Sequence, residues 1–302
     1  MRESMKIEKW ISENTSSLKG KKIAVTGSTG GIGREICTHL ASLGASLILL
    51  DRNETRSKAH KESIGSRFAE TDVTCIHLDL EDLVSVEHAV EKLNKLQIDI
   101  FINNAGAYNI PRSICESGYD NVFQINFASP YYMIRKLIPM LRERNGKVIV
   151  VGSIAYNCCK IDENDIDLRK KTSAMKVYGN AKRFLMFSLH ELFKGETDVK
   201  LSVVHPGITL TGITANYPRL VKTVVEPIMK FVFMPPRKAS LPVIYGAFED
   251  VECGHWVGPS KLDIWGMPKT KAFRNCKSEE KEKILNVAER VYFQCNGDES
   301  SE

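Results

Sequence analysis

Several features that would mark a membrane-bound or secreted protein are missing from this 302-residue chain. No run of residues reaches the roughly 18 apolar positions that a transmembrane helix needs. The N-terminal segment, MRESMKIEKWISENTS, lacks the apolar core of a secretory signal peptide. We therefore expect a cytoplasmic protein that makes no integral membrane contact.

Cysteine is present, but not in a pattern that binds metal or forms a disulfide framework. The eight cysteines include no CxxC pair, and no cysteine–histidine cluster has the spacing of a zinc site. Several of them lie inside apolar runs, which is typical of free buried thiols in a reducing compartment. No metal site is expected.

The charge balance and the motif content exclude two further classes of protein. The formal net charge is only +5, from 42 basic and 37 acidic residues, and the basic residues are interspersed with acidic ones. A basic stripe of the kind that contacts nucleic acid is absent. The sequence also contains no GxSxG motif, which excludes the serine nucleophile of an α/β-hydrolase.

Short apolar runs alternate with amphipathic segments through most of the chain. Strands are predicted at 23–26, 46–50, 73–78, 98–103, 147–151 and 200–204. Helices are predicted at 34–43, 82–96, 117–142 and 174–194. Continuous apolar strands separated by helices indicate a parallel sheet covered on both faces. The predicted fold class is therefore α/β, a single doubly wound Rossmann domain with a mostly parallel sheet.

The two ends of the chain depart from this alternation. Residues 1–20 are polar, with a few apolar residues at helical spacing, which predicts a short amphipathic helical arm. The C-terminal segment, 271–302, is predicted to contain a helix at 278–295, capped by Ser278, and a disordered tail. The Rossmann-type domain would then span 21–270.

Residues 208–240 are rich in apolar side chains and are interrupted by prolines. A loop that follows the sixth strand lies at the carboxyl edge of the sheet, where ligands bind in such folds. We expect this segment to be a substrate lid, and its apolar character favours a bulky, poorly soluble substrate such as a steroid or a retinoid. Packing on its own core and contact with a membrane surface are the alternatives.

A glycine-rich turn, TGSTGGIG, follows the first strand and begins the first helix. Glycines allow a tight turn and a close approach to phosphate, and the helix dipole and exposed N–H groups then favour the pyrophosphate of a dinucleotide. The candidate cofactor contacts in this turn are Gly27, Thr29, Gly31, Ile32 and Gly33.

The second strand ends at Asp51, 18 residues after Gly33. A carboxylate at this position can accept hydrogen bonds from the adenosine ribose hydroxyls. Arg52 could pair with the 2′-phosphate of NADP, but Asp51 would then face that phosphate at short range, and desolvated like charges repel at a high cost. The sequence therefore favours NAD, with NADP as the alternative.

Further motifs follow the glycine turn in a characteristic order. They are Asp79-Leu80, Asn103-Asn104-Ala105-Gly106, and Pro206-Gly207 with Thr211. Together with the turn, which fits the pattern TGxxxGxG, they resemble the short-chain dehydrogenase/reductase family over about residues 20–260. The resemblance implies that Asp79 contacts the adenine edge and that the other cofactor contacts are Leu80, Asn104, Ala105, Gly106, Pro206, Gly207 and Thr211.

The same resemblance implies a catalytic tetrad of Asn126, Ser153, Tyr178 and Lys182. Tyr178 and Lys182 are four residues apart and share one face of a helix. A cation about 5 Å from the phenol contributes on the order of 3 kcal/mol at an effective dielectric near 20, which would lower the pKa of Tyr178 by roughly two units. Tyr178 would then be a workable acid/base near neutral pH.

The other three members of the tetrad would have supporting roles. Ser153 would hydrogen-bond the substrate oxygen and oppose its developing charge. The resemblance implies that Lys182 also holds the nicotinamide ribose and that Asn126 holds a water linking Lys182 to solvent. The 25-residue gap between Ser153 and Tyr178 contains a charged insert, 162–171. This longer gap is similar to that of the retinol- and steroid-dehydrogenase branch.

The function implied is an NAD(P)-dependent interconversion of a secondary alcohol and a ketone on a bulky apolar small molecule. A homo-oligomer, dimer or tetramer, is the expected assembly. The alternative is a catalytically silent regulator that senses NAD(P) on the same fold. Such regulators usually lack the tyrosine or the lysine, and this chain has both.

Overall fold

The computed structural model describes residues 2–170, 173–209, 233–274 and 276–297. The strands within these ranges are β1 (Lys22–Thr26), β2 (Ser46–Asp51), β3 (Val73–His77), β4 (Ile100–Asn103), β5 (Lys147–Val151), β6 (Lys200–Val204), β7 (His255–Lys261) and β8 (Trp265–Ala272). They form one sheet in the order β3-β2-β1-β4-β5-β6-β7-β8. Neighbouring strands from β3 to β7 are parallel, and β8 is antiparallel to β7.

The helices are α1 (Arg2–Asn14), α2 (Gly31–Ser42), α3 (Glu54–Arg67), α4 (Leu83–Leu96), α5 (Asn121–Phe123), α6 (Ser129–Glu143), α7 (Ala174–Leu192), α8 (Pro236–Ala239), α9 (Leu241–Phe248) and α10 (Ser278–Asn296). A π-helical segment, Gln124–Ala128, joins α5 to α6, and a 3₁₀ turn, Ile154–Cys158, follows β5. None of the described helices is long and apolar enough to cross a membrane.

Alternate residues of each central strand face opposite sides of the sheet, and helices cover both sides. In β1, Ala24 packs in the core that also includes residues of α4, α6, α7 and α10, while Ile23 and Val25 pack in the core that includes residues of α2, α3 and α9. This two-sided burial explains the uninterrupted apolar strands. It confirms the predicted doubly wound α/β fold.

The C-terminal end departs from the prediction at the start of its helix. The predicted final helix is α10, but Ser278 is its first residue rather than its cap; Lys277 holds the cap position and makes no side-chain cap hydrogen bond. The predicted cap is therefore wrong. The predicted disordered tail falls mainly on 298–302, outside the described residues.

The N-terminal helix α1 packs on the body of the protein. Its Ile7 side chain is buried, and the ring of Trp10 lies 6.3 Å from that of Tyr245 in α9, centroid to centroid. The Lys238 ammonium of α8 pairs with the Glu3 carboxylate at 2.7 Å. These contacts attach α1 to the face of the sheet that α2 and α9 cover.

Candidate active site

The turn between β1 and α2 requires glycine at two positions. Gly27 has a φ of +65°, and a Cβ atom on it would lie 3.0 Å from the Cα atom of Ala105. A Cβ atom on Gly33 would lie 2.2 Å from the carbonyl oxygen of Gly27. The N-terminus of α2 has no side-chain cap and no acidic residue in its first turn. Its free N–H groups therefore fit the pyrophosphate of NAD(P).

The segment after β4 is hydrogen-bonded to this turn. The backbone N–H groups of Asn104 and Ala105 both donate to the Thr26 hydroxyl, at 3.0 and 2.9 Å. The Asn104 side-chain amide donates to the carbonyl oxygens of Thr26 and Gly27, at 3.0 and 3.1 Å. The structure thus brings the predicted NNAG element and the glycine turn together as one rigid edge.

Asp51 lies at the predicted place, but its carboxylate points into the protein and is only 4% exposed. One oxygen accepts from the backbone N–H and the hydroxyl of Thr29, both at 3.0 Å. The other accepts from the hydroxyls of Ser28 and Ser57, the latter at 2.9 Å. These four bonds occupy about four lone-pair sites, the full capacity of a carboxylate. A ribose hydroxyl would have to displace one of them.

Basic side chains surround the same turn from outside. Arg34 and Arg56 both donate to the carbonyl oxygen of Thr29, at 3.2 and 3.3 Å. The Arg52 guanidinium is largely exposed and pairs with the Glu81 carboxylate at 3.1 Å. Three guanidinium groups therefore lie near the end of β2, where the sequence predicts the adenosine ribose.

Asp79 and Leu80 follow β3, the strand beside β2. The Asp79 carboxylate accepts from the backbone N–H of Glu81 at 3.0 Å. Leu80 is buried, and its carbonyl oxygen accepts from the Ser129 hydroxyl at 2.7 Å. Their predicted contact with adenine stays a prediction.

Three of the four predicted catalytic side chains lie together at the carboxyl edge of β5. Ser153 is the residue that caps the 3₁₀ turn: its hydroxyl oxygen accepts from the backbone N–H of Ala155 at 3.2 Å, and the side chain lies close enough to Tyr178 to lower the pKa of the phenol. Lys182, one helical turn after Tyr178 on α7, donates from Nζ to the carbonyl oxygen of Val151 at 2.9 Å. The same Nζ lies 5.8 Å from the centre of the Tyr178 ring.

The electrostatics of this group differ from the sequence-based expectation. Burial raises the pKa of Tyr178 to about 12, the Ser153 hydroxyl lowers it in part, and Tyr108 raises it further. Burial also lowers the pKa of Lys182, to about 8. We expected Lys182 to lower the pKa of Tyr178, but desolvation of the phenol dominates and the net shift has the opposite sign.

Gly179 allows α7 to approach the turn that carries Ser153. A Cβ atom on Gly179 would lie 2.2 Å from the carbonyl oxygen of Ala155 and 3.0 Å from its carbonyl carbon. Backbone cannot yield as the far end of a side chain can, so only glycine fits here. The contact sets the distance between the helix of Tyr178 and the turn of Ser153.

Asn126 lies in the π-helical segment, and its side chain is fully engaged with backbone. Its Oδ1 accepts from the N–H of Ala107 at 3.2 Å, and its Nδ2 donates to the carbonyl oxygens of Ala107 and Val122, at 2.9 and 2.8 Å. The side chain therefore braces the loop after β4. Both Nδ2 hydrogens are thereby used, so a water held by this side chain could only donate to Oδ1.

Two residues beside Tyr178 were not identified from the sequence. The Tyr108 ring stands edge-on to the Tyr178 ring, with 5.5 Å between centroids. Leu168 is buried, has a φ of +52°, and packs with Val122 and Val177. The sequence signals were indirect: Tyr108 closely follows the NNAG element, and Leu168 lies in the charged insert.

The insert also borders a cavity of about 530 Å³ at the N-terminal end of α7. Its lining residues include charged, sulfur-bearing and apolar side chains, and most come from the insert and from the segment that joins it to the 3₁₀ turn. They are Cys158, Cys159, Lys160, Ile161, Asp162, Glu163, Asn164, Leu168 and Lys176.

The Pro206-Gly207 element follows β6 and lies against the connection between β7 and β8. Gly207 has a φ of +81°, and a Cβ atom on it would lie 2.8 Å from the carbonyl oxygen of Ile264. The N–H of Met234 donates to the carbonyl oxygen of Ile208 at 2.9 Å. Thr211 and most of the predicted lid, 210–232, lie outside the described residues.

Comparisons with known proteins agree with this arrangement. The model of the short chain dehydrogenase family matches residues 21–220. The chain is 26% identical to polyprenol dehydrogenase of Danio rerio over 239 residues, covering 76% of this chain and 74% of that protein. It is 29% identical to retinol dehydrogenase 12 of Mus musculus over 204 residues, covering 66% and 65%.

Solved structures show the same fold. An uncharacterized protein of Mycobacterium paratuberculosis superposes with a TM-score of 0.73 at 20% identity, covering 96% of this chain and 98% of that one. The NADPH-dependent 3-quinuclidinone reductase of Rhodotorula rubra superposes with a TM-score of 0.60 at 20% identity, covering 77% and 86%.

Proposed function

The chain belongs to the short-chain dehydrogenase family, and we propose that it acts on a bulky apolar alcohol, or on the corresponding ketone, with Tyr178 as the acid/base. It is an NAD(P)-dependent alcohol dehydrogenase or ketone reductase. The observation that most directly supports the role of Tyr178 is that Lys182, on the next helical turn, places its Nζ atom 5.8 Å from the centre of the Tyr178 ring, at the edge of the sheet where Ser153 also lies. Its cytoplasmic location and homo-oligomeric assembly stay predictions.

In the reductive direction, the bound nicotinamide supplies the hydride. The Ser153 hydroxyl donates a hydrogen bond to the carbonyl oxygen and opposes the negative charge that develops on it. Tyr178 donates its proton to the same oxygen, which leaves a tyrosinate. Lys182, whose pKa is lowered to about 8, remains largely cationic at neutral pH and stabilises that tyrosinate.

The cofactor would lie along the carboxyl edge of the sheet. The glycine turn and the N-terminus of α2 would hold the pyrophosphate, the NNAG element would lie beside it, and Pro206-Gly207 would lie near the nicotinamide. Lys182 would bind the nicotinamide ribose. The backbone hydrogen bonds that join the turn to the NNAG element keep this edge in one shape before any ligand binds.

For the adenosine end, we infer a preference for NADP(H) over NAD(H). The sequence favours NAD only if Asp51 faces the ribose, but its carboxylate has four partners inside the protein. Arg52 follows it and is largely exposed, and among the residues that the structure describes it pairs with Glu81, in a contact that solvent screens. A 2′-phosphate would therefore meet a guanidinium rather than a free carboxylate.

Arg52→Ala should lower kcat/KM for NADPH by about 10- to 100-fold, because a hydrogen bond to a charged group contributes about 1.5–3 kcal/mol. The value for NADH should change little, since NADH has no 2′-phosphate. Steady-state kinetics with both cofactors would measure this. Arg67→Ala, at the far end of α3, is the matched control. A wild-type enzyme that prefers NADH, with NADPH kinetics unaffected by Arg52→Ala, would contradict the inference.

The apolar surroundings of Tyr178 support the proposed substrate class. The half-buried Tyr108 and Ile110 side chains form an apolar wall next to the phenol: the Tyr108 ring stands edge-on to it, and Ile110 packs with Tyr178 on the buried cluster of Leu168, Val122 and Val177. Its curated relatives include a polyprenol dehydrogenase and a retinol dehydrogenase, whose names point to a polyprenol and to retinol as substrates. A long apolar alcohol would bury its chain against such a wall.

A homologous series of alcohols tests the substrate class. Each additional buried methylene contributes about 0.8 kcal/mol, so kcat/KM should rise roughly fourfold per carbon until the wall is covered. Tyr108→Ala should flatten that rise, while Tyr108→Phe should preserve it. A series without chain-length dependence would contradict the apolar substrate. No turnover with any member would favour the silent, cofactor-sensing alternative.

A further inference from the structure

Arg183 follows Lys182 on α7 and is buried, with 8% of its surface exposed. Its Nε and Nη2 atoms donate to the two carboxylate oxygens of Glu280, at 2.9 and 2.6 Å. Its Nη1 atom donates to the carbonyl oxygen of Tyr156 at 3.2 Å. One side chain therefore connects three elements: α7, the 3₁₀ turn after Ser153, and α10.

Tyr156 is the buried anchor of that 3₁₀ turn. The rings of Trp256 and Phe273 stand edge-on to its ring, with centroids 5.8 and 6.1 Å away. Its hydroxyl accepts from the backbone N–H of Arg274 at 2.8 Å. The turn is thus held at its carbonyl by Arg183 and at its side chain by the segment that leads into α10.

The Arg183–Glu280 pair is shielded from solvent, with side-chain exposures of 10% and 22%. Charges in such a position are weakly screened, and each one requires its partner, because an unpaired buried charge is costly. A second pair, Arg135–Glu289, also joins α10 to the body at 2.6 Å, but it reaches α6 and not the Ser153 turn. Breaking Arg135–Glu289 therefore weakens only the attachment of α10 to the body, whereas breaking Arg183–Glu280 also disturbs a contact with the Ser153 turn.

We propose that Arg183 is a positioning residue: paired with Glu280, it holds the 3₁₀ turn so that the Ser153 hydroxyl stays next to Tyr178. The role rests on the proposed function, because it matters for turnover only if those two hydroxyls do the chemistry. Glu280 lies beyond the region that the family model matches, 21–220. A shift of about 1 Å in such a turn can cost on the order of 100-fold in rate.

Glu280→Gln keeps the shape of the side chain and removes its charge. We expect kcat to fall about tenfold, with cofactor affinity unchanged. Because the Ser153 hydroxyl lowers the pKa of Tyr178, a loosened turn should raise that pKa. In the alcohol-oxidising direction, which needs deprotonated Tyr178, the pH of half-maximal kcat should therefore move upward. Arg183→Lys, which keeps the charge without the bidentate geometry, should shift the profile in the same direction.

Glu289→Gln is the matched control, since it breaks an ion pair that joins α10 to α6 and does not reach the Ser153 turn. It should leave both kcat and the pH profile unchanged. Hydrogen exchange by mass spectrometry supplies a readout that needs no substrate: amides of residues 154–159 should exchange faster in Glu280→Gln than in wild type or in Glu289→Gln. Wild-type exchange, kcat and pH profile in both Glu280→Gln and Arg183→Lys would overturn the proposal. A wild type without turnover, with faster exchange in Glu280→Gln, would reject the proposed function and support the bracing contact.

Discussion

Tyr178→Phe is expected to lower kcat by about 10²- to 10⁴-fold, the range that a positioned general acid/base contributes. The substitution removes the only transferable proton of that side chain and keeps the ring. Because Tyr108 contacts the ring edge-on, the packing around position 178 should persist. Cofactor affinity should therefore stay within about twofold of wild type, and the loss should appear in kcat and kcat/KM together.

Steady-state rates and a fluorescence titration with reduced cofactor measure the two quantities separately. Tyr245→Phe is the matched control, because Tyr245 contacts Trp10 on the opposite side of the sheet and removal of its hydroxyl should leave the rate unchanged. A Tyr178→Phe enzyme within tenfold of the wild-type kcat would exclude Tyr178 as the acid/base. Loss of cofactor binding instead would mean that the phenol holds the cofactor rather than the proton.

The central sheet could be predicted because its strands are buried on both faces. Such strands are continuous apolar runs, and all six predicted ones have bounds close to the observed strands β1–β6. Helix α3 was missed because two of its three buried residues, Ser57 and His60, are polar and hide its amphipathic pattern. Strands β7 and β8 were missed because each contains Gly and Pro, which are uncommon inside strands.

In the site, too, residues placed by nearby sequence could be predicted, and contacts between distant parts of the chain could not. Ser153, Tyr178 and Lys182 could be named from the family resemblance of their motifs, and a strand end and one helical turn bring them together. The inward orientation of Asp51 could not, since it depends on hydroxyls 22 and 6 residues away in the sequence. The role of Arg183 is even harder to predict from the sequence, because its carboxylate partner, Glu280, is 97 residues away.

Gly179→Ala is expected to have an effect close to that of losing the acid/base, although the substitution adds only a methyl group. The new Cβ atom would lie 2.2 Å from the carbonyl oxygen of Ala155. Either α7 or the 3₁₀ turn must move to relieve this contact. Each movement changes the distance between Ser153 and Tyr178, and a displacement near 1 Å can cost about 100-fold in rate. We expect kcat/KM to fall by about that factor.

Gly179→Ala should lower kcat/KM much more than it lowers the free energy of unfolding. This difference distinguishes a displaced active-site group from general destabilisation. Alanine gains about 1 kcal/mol of helix propensity over glycine, while overpacking costs typically 1–3 kcal/mol, so the free energy of unfolding should fall only modestly. Gly65→Ala in α3 is the matched control: no atom lies within 4 Å of its added Cβ, so stability should rise and kcat/KM should stay unchanged. If Gly179→Ala retained wild-type kcat/KM with a folded protein, the contact between α7 and the turn would not set the geometry of the reacting groups. A loss confined to kcat/KM, with cofactor affinity preserved, would locate the damage at the Ser153–Tyr178 contact.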